Sequence, residues 1–363
     1  KRDAVLCGTD EAIAVLKLCS GYYRKPEKDY ELFDRYLAWK RRIRELSVGT
    51  KNEITVNWMR DSLNERVALE MELDSLWVNT WDRLRVRSLH DGWTISPWET
   101  VMTIEGLPQY FAHLESVYLG ILARRTMVAT NTRRVVEAAQ GKPVFFFADR
   151  FDHYDNQSGD GYAATVGGAQ SLATDAMGEW VGKEGAGTMP HALIACFDGN
   201  TVEATRAFAL AYPDVPCIYL VDFENDCERT AVKVADHFHF NGLKLWGVRL
   251  DTSENMVDES LIMYEQMGSE KLTGVNPALV GKVRVALDAH GHQDVKIVVS
   301  GGFTAEKIEY FEKYKVPVDA YGCGSSLLKG GGDFTADIVK VYGKHCAKKG
   351  RWYRPNIRLQ LVE

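Results

Sequence analysis

The chain has 363 residues, 45% of them hydrophobic, and a formal net charge of -6 at pH 7. That length supports a large core and two domains. The acidic balance and the lack of a long basic tract argue against a nucleic-acid partner, and no apolar run approaches the roughly 20 residues that cross a bilayer. The seven cysteines are scattered, with no CxxC pair and no zinc-like Cys/His spacing. They read as free thiols in a reducing cytoplasm. The chain opens on Lys1 rather than Met, which leaves room for a preceding segment.

In chain order, residues 4–16 predict a short strand and a helix capped by Thr9 or Asp10. Residues 22–94 are charged and aromatic and predict a helical insertion, with amphipathic helices over 30–46 and 58–77. The basic Lys40-Arg41-Arg42 and Arg44 read as a solvated helix face. Residues 93–106 predict β structure outside the main sheet, and 110–139 a long helical region broken near 126–132. Five apolar runs then end in small or charged residues: 144–147, 217–221, 245–248, 296–299 and 318–321. Such runs, separated by helical stretches such as 201–212 and 227–239, predict buried parallel strands of an α/β barrel. Residues 154–187 are rich in glycine, which suits either close approach to a ligand or a tightly packed helix pair.

Chemistry in such folds gathers where strands end. Ser300-Gly301-Gly302 follows one strand, and Gly322-Cys323-Gly324-Ser325 follows the next. Successive glycine turns that open toward helices expose backbone N–H groups suited to a phosphate. Arg249 and Asp251 alternate around Leu250, so they share one face of their strand. They can take a phosphate or carboxylate and a ribose or water-bound Mg²⁺, or form a buried pair that closes the barrel. His191 follows the compact loop Gly187-Thr188-Met189-Pro190 and is a candidate proton or phosphoryl acceptor. Arg150 and His153 follow the first barrel strand and can clamp an anion or cap the strand. Asp222 and Glu224 end another and can face the same mouth.

Together these residues resemble the nicotinate phosphoribosyltransferases, a family of type II phosphoribosyltransferases. The matching segments include Leu114-Glu115-Ser116, Ala129-Thr130, Phe147-Ala148-Asp149-Arg150 and Gly187-Thr188-Met189-Pro190-His191. Leu220-Val221-Asp222, Gly247-Val248-Arg249-Leu250-Asp251, Ser300-Gly301-Gly302 and Gly322-Cys323-Gly324-Ser325 follow in order. The resemblance implies an irregular α/β barrel over residues 116–344 and an N-terminal open-faced α/β sandwich over 1–115, with the tail 345–363 returning to it. It implies a cytoplasmic homodimer, or a higher oligomer, with a shared active site. The implied reaction joins nicotinate to phosphoribosyl pyrophosphate (PRPP), giving nicotinate mononucleotide and pyrophosphate in NAD biosynthesis, with Mg²⁺ and with ATP as a candidate co-substrate. By the family pattern Phe147 stacks on the pyridine ring. Arg150 and Arg249 hold the carboxylate with support from Thr188, Asp251 orients the ribose, and the two glycine turns bind the 5′-phosphate. His191 occupies the place of the phosphorylated histidine.

The chain departs from that pattern in having Phe151 where a second Arg is frequent, Phe223 where Thr is frequent, and no evident Thr-Asp-x-Tyr segment. The alternatives are a quinolinate or other pyridine-base phosphoribosyltransferase and, from another class, a non-catalytic nucleotide-binding paralogue. A dicarboxylate base calls for more cations than Arg150, His153 and Arg249.

Overall fold

The structure is a computed structural model, which describes residues 2–48, 53–187, 189–263, 268 and 271–363. The strands in chain order are β1 (Ala4–Val5), β2 (Gly21–Tyr23), β3 (Trp77–Asn79), β4 (Arg85–Ser88), β5 (Thr94–Ile95), β6 (Met102–Glu105), β7 (Val144–Phe146) and β8 (Ser171–Leu172). They continue with β9 (Ile218–Leu220), β10 (Gly247–Leu250), β11 (Lys296–Val299), β12 (Ala320–Cys323), β13 (Lys340–Val341), β14 (Lys344–His345) and β15 (Gln360–Leu361). The helices are α1 (Thr9–Cys19), α2 (Pro26–Val48), α3 (Glu53–Leu76), α4 (Glu115–Ala138), α5 (Gln157–Gly167) and α6 (Asp175–Gly178). The remainder are α7 (His191–Ala195), α8 (Thr201–Ala211), α9 (Cys227–Phe240), α10 (Pro277–Ala289) and α11 (Ala305–Lys313). Five of them start where the sequence supplies a cap. Thr174, Asn200, Asp226, Asn276 and Thr304 each accept from the N–H three residues on, satisfying a donor the helix cannot.

The chain forms two compact units. One comprises Lys1–Gly8, His90–Pro97 and Leu122–Asp333; the other comprises Thr9–Leu89, Trp98–Ile121 and Phe334–Glu363. The first unit holds a six-stranded sheet in the order β8-β7-β12-β11-β10-β9, parallel throughout. Phe146, Val248, Leu250, Ile297, Val299 and Tyr321 are completely buried, because helices cover what would otherwise be wet faces of a parallel sheet. The sheet is curled. Phe147 follows β7 and Arg249 lies in β10, three strands away, which in a flat sheet is about 14 Å. The Arg249 guanidinium nonetheless sits 5.6 Å from the centre of the Phe147 ring. This curled half-barrel is the α/β barrel the sequence predicts.

Two expected strands sit about two residues further along than the apolar runs suggest. Arg249 and Leu250 are inside β10, and Gly322 and Cys323 are inside β12. Parallel pairing sets these limits: Arg249 pairs with Leu220 and Val298, and Gly322 with Phe145. The expected break near 126–132 does not occur, and α4 runs through it. The Thr126 hydroxyl bonds the N–H and carbonyl of Cys7, and one turn on Thr130 does the same for Val5. The threonines hold β1, which pairs with β5, instead of breaking the helix.

The glycine-rich segment packs against neighbouring backbone and side chains. A Cβ on Gly161 would meet the Met177 carbonyl and lie within 2.7 Å of its backbone carbons, and one on Gly167 would lie 2.7 Å from the Ala129 carbonyl oxygen. Backbone cannot swing aside, so Gly161→Ala should destabilise the protein by about 3 kcal/mol. A thermal or denaturant melt checks this; a loss under about 1 kcal/mol would contradict the close packing.

The second unit holds a three-stranded antiparallel sheet in the order β15-β4-β6 and the antiparallel pairs β2-β3 and β13-β14. The C-terminal strand therefore pairs with β4, Leu361 opposite Arg87. Residues 22–94 contain α2 and α3, packed on Leu32, Leu69 and Leu73, but also β3 and β4. Among the described residues no helix is long and apolar enough to cross a membrane.

Candidate active site

Parallel pairing brings the ends of β7, β9, β10, β11 and β12 to one edge of the curled sheet. Arg249 is the centre of the group collected there. It is 9% exposed. Its guanidinium lies over the Phe147 ring, its Nη2 donates to the Met189 carbonyl at 3.1 Å, and Asp251 Oδ2 is 3.9 Å from Nη2. Its Nε is buried, with no hydrogen-bond partner among the described residues. Burial pushes the guanidinium below its usual range, Asp251 and Asp222 oppose that, and the positive charge of Arg150 adds to it. A buried cation with an unused donor is a poor structural strut and a good anion ligand.

Asp251 follows β10 on the same face. Its Oδ1 accepts from Ser300 Oγ at 2.8 Å, which ties the first glycine turn to the carboxylate. Gly301 and Gly302 both adopt positive φ, 83° and 70°, a conformation other residues rarely take. Among the described residues none accepts from the N–H groups of Gly301, Gly302, Gly324 or Ser325. The two turns are linked, since Ser326 Oγ donates to the Phe303 carbonyl at 2.7 Å. Gly322 lacks a side chain where the Phe147 ring packs: a Cβ there would lie 2.6 Å from the ring. Cys323 beside it is buried, and burial pushes its thiol up to about 12, so it is inert packing.

His191 opens α7 and its Nε2 lies 3.0 Å from Asp222 Oδ2. The other Asp222 oxygen is buried, with no partner among the described residues. The hydrogen bond to Asp222 raises the imidazole above its usual 6.5; desolvation and Arg249 oppose this, and Asp251 assists. A raised value means that the stability the pair contributes is complete below pH 6.5 and fades as pH rises through the folded-state value. The His191 side chain is 43% exposed, so solvent keeps that contribution small. The titration is the better readout. The His191 midpoint should lie above that of a free histidine in an NMR pH series, and Asp222→Asn should bring it down. An unmoved midpoint would show that Asp222 does not govern the imidazole.

The structure brings together His191, Asp222, Arg249, Asp251, Phe147, Ser300 and the turns at Gly301-Gly302 and Gly322-Gly324-Ser325. Arg150 is exposed and lies over the Phe151 ring at 5.3 Å, near enough for its charge to act on Arg249. Phe151 in turn packs against Gly324, so the aromatic that replaces the frequent second Arg lines the turn instead. His153 is not brought in. Its Nδ1 accepts from the Asp155 N–H at 3.4 Å and its ring stacks on Tyr154, so it caps the turn that leads into α5. Glu224 lies 4.0 Å from Arg229 and 3.9 Å from Lys233, both on α9. Thr188 lies outside the described residues. Sequence reasoning missed the Met189 carbonyl, because a backbone acceptor leaves no trace in residue type. It also missed the pairing of His191 with Asp222, whose positions are 31 residues apart.

No protein-family model matches the chain. It is 26% identical over 230 residues to nicotinate phosphoribosyltransferase pncB2 of Mycobacterium tuberculosis, an alignment covering 62% of this chain and 44% of that protein. The chain thus spans less than half the length of that relative. It is 31% identical to the solved nicotinate-nucleotide pyrophosphorylase from Pyrococcus furiosus, covering 77% of this chain and 68% of that one with a TM-score of 0.65. Human nicotinic acid phosphoribosyltransferase shares the fold at 17% identity, covering 89% of this chain and 65% of that one with a TM-score of 0.56. With the curled parallel half-barrel and the cation, ring and glycine turns at its strand ends, these likenesses place the chain in the type II phosphoribosyltransferase family.

Proposed function

We propose that the chain transfers a phosphoribosyl group from PRPP to nicotinate, releasing nicotinate mononucleotide and pyrophosphate. The observation that carries this reading is Arg249, buried over the Phe147 ring with a donor unused among the described residues, and beside two turns whose N–H groups meet no described acceptor. A flat anionic ring fits against Phe147 with its carboxylate on the guanidinium, and Arg150 supplies a second positive charge. The 5′-phosphate fits the N–H groups of Gly301, Gly302, Gly324 and Ser325. Asp251, held by Ser300, reaches a ribose hydroxyl.

The reaction needs little acid–base help. As the bond from the anomeric carbon to pyrophosphate breaks, that carbon gains positive character, and the pyridine nitrogen attacks with its own lone pair. The protein's part is to hold both reactants in line and to stabilise the charge that moves. Among the described residues no cluster of three His, Cys, Asp or Glu side chains could hold a metal. Mg²⁺ carried by the pyrophosphate would keep several waters and take one or two carboxylates. Asp251 is the residue that fits it, and bound Mg²⁺ would offset the charge of the leaving group.

His191 is our candidate for ATP coupling. With Nε2–H donated to Asp222, Nδ1 carries the lone pair. Attack on the γ-phosphorus of ATP would form an N–P bond, break the bond to the β-phosphate oxygen and release ADP. A quinolinate-specific site is less well supported, because His153 faces Asp155 and, of the three cations the sequence places at the mouth, Arg150 and Arg249 remain for a dicarboxylate.

Mass spectrometry of a mixture of the protein, nicotinate, PRPP and Mg²⁺ tests the reading. Nicotinate mononucleotide should accumulate, and its absence alongside unconsumed PRPP would remove the proposal. Loss of ATP stimulation in His191→Ala, with transfer retained, is expected of the coupling role.

A further inference from the structure

Lys307 was not singled out by the sequence, and nothing in the reading above uses it. It sits in the first turn of α11, directly after the first glycine turn. Its Nζ is 3.5 Å from the Gly301 carbonyl oxygen and 4.3 Å from the centre of the Phe303 ring. Phe303 is fixed, being 1% exposed and packed on Phe311 and Tyr321. The ammonium is therefore held against one face of the turn.

The surrounding charges are Glu254 and Lys271. The Glu254 side chain lies against Gly302, where a Cβ would meet its carboxylate. It acts on Lys307 at longer range, and no described carboxylate forms an ion pair with the ammonium. Burial pushes Lys307 below the usual lysine range, Glu254 opposes this and Lys271 adds to it. A partly buried cation therefore rests on a peptide carbonyl.

The peptide that Lys307 touches joins Gly301 to Gly302. In a trans peptide the C=O and N–H point in opposite directions. A cation on the Gly301 oxygen therefore orients the unit with the Gly302 N–H facing away from it. It also draws electron density toward the oxygen, which makes that N–H a stronger donor. Both glycines are free of Cβ constraint, so the peptide could rotate unless something held it.

We propose that Lys307 is a positioning residue, which fixes and polarises the Gly301–Gly302 peptide so that its N–H faces a phosphate monoester. The inference rests on the phosphate reading of the two turns. Lys307 acts through the peptide and does not itself touch the phosphate.

Calorimetric titration with ribose 5-phosphate tests it without any pyridine base. Lys307→Met keeps the aliphatic stem on Phe303 and should weaken binding by at least about tenfold. Lys307→Gln, measured alongside, should do the same, and Lys307→Arg should stay within about threefold of wild type because it restores the cation. The double variant Lys307→Met/Glu254→Gln should remain weak. Wild-type affinity in Lys307→Met and Lys307→Gln would overturn the inference. So would recovery in the double variant, which would show that Lys307 only balances Glu254. Either result leaves the phosphate reading standing. Failure of the wild-type protein to bind ribose 5-phosphate would overturn that reading and this inference together.

Discussion

Arg249→Ala should lower kcat/KM for phosphoribosyl transfer by on the order of 10²- to 10³-fold while the protein stays folded. The guanidinium touches three parts of the site, namely the Phe147 ring, the Met189 carbonyl and the Asp251 carboxylate. Removing it takes away the cation and also the charge that offsets two nearby acids. The fold does not depend on it to the same degree. The contact with Asp251 is long at 3.9 Å, and Nε has no partner to lose among the described residues. Burial already disfavours the charged form, so truncation relieves a desolvation cost while it opens a cavity. Lysine should rescue poorly, since a point charge on a flexible stem lacks the planar face that lies on Phe147. Steady-state kinetics with a parallel melt checks both halves. Near-normal turnover, or unfolding that accounts for the loss, would remove Arg249 from the mechanism.

Gly322→Val should damage the site more than the fold. Gly322 lies in β12 with Phe147 Cε2 and Cδ2 at 2.6 and 2.7 Å from a Cβ position, and Ser300 Cβ at 3.2 Å. These neighbours are side-chain atoms, unlike the backbone that blocks Gly161. Phe147 is only half-buried, so its ring can move, and in moving it leaves the face of Arg249. Ser300 is pressed at the same time, and through it Asp251. Overpacking of this kind costs about 1–3 kcal/mol. If most of that appears in the transition state, kcat/KM falls by roughly 10- to 100-fold. The melting temperature should fall by only a few degrees. A severe loss of stability with activity per folded molecule unchanged would contradict the placement of Phe147.

The strand core was legible because buried parallel strands are apolar runs whatever else the sequence encodes. β11 matches its run residue for residue, from Lys296 to Val299. β10 and β12 were misplaced because their limits depend on partners far along the chain. Gly322 was consequently read as a turn residue, although it is in the sheet, whereas Arg249, read at its strand's end, lies inside β10. The break expected near 126–132 falls on threonines of α4, β-branched residues that favour helices less. Their hydroxyls instead hold the backbone of β1, a role that depends on tertiary placement. His153 was drawn into the site by its nearness to Arg150, but its cap of the following turn is a local interaction and prevailed. Lys307 and Glu254 carried no sequence signal, because each matters only through what the fold sets beside the glycine turn.

The most direct test of the central claim is the rate of pyrophosphate release from PRPP and Mg²⁺, with nicotinate, nicotinamide or quinolinate as acceptor and with or without ATP. A site built on one buried guanidinium and one exposed one, Arg249 and Arg150, predicts release with nicotinate and little with the neutral or doubly charged ring. Release with quinolinate at a matching or higher rate, or silence with nicotinate while PRPP binds, would contradict the account.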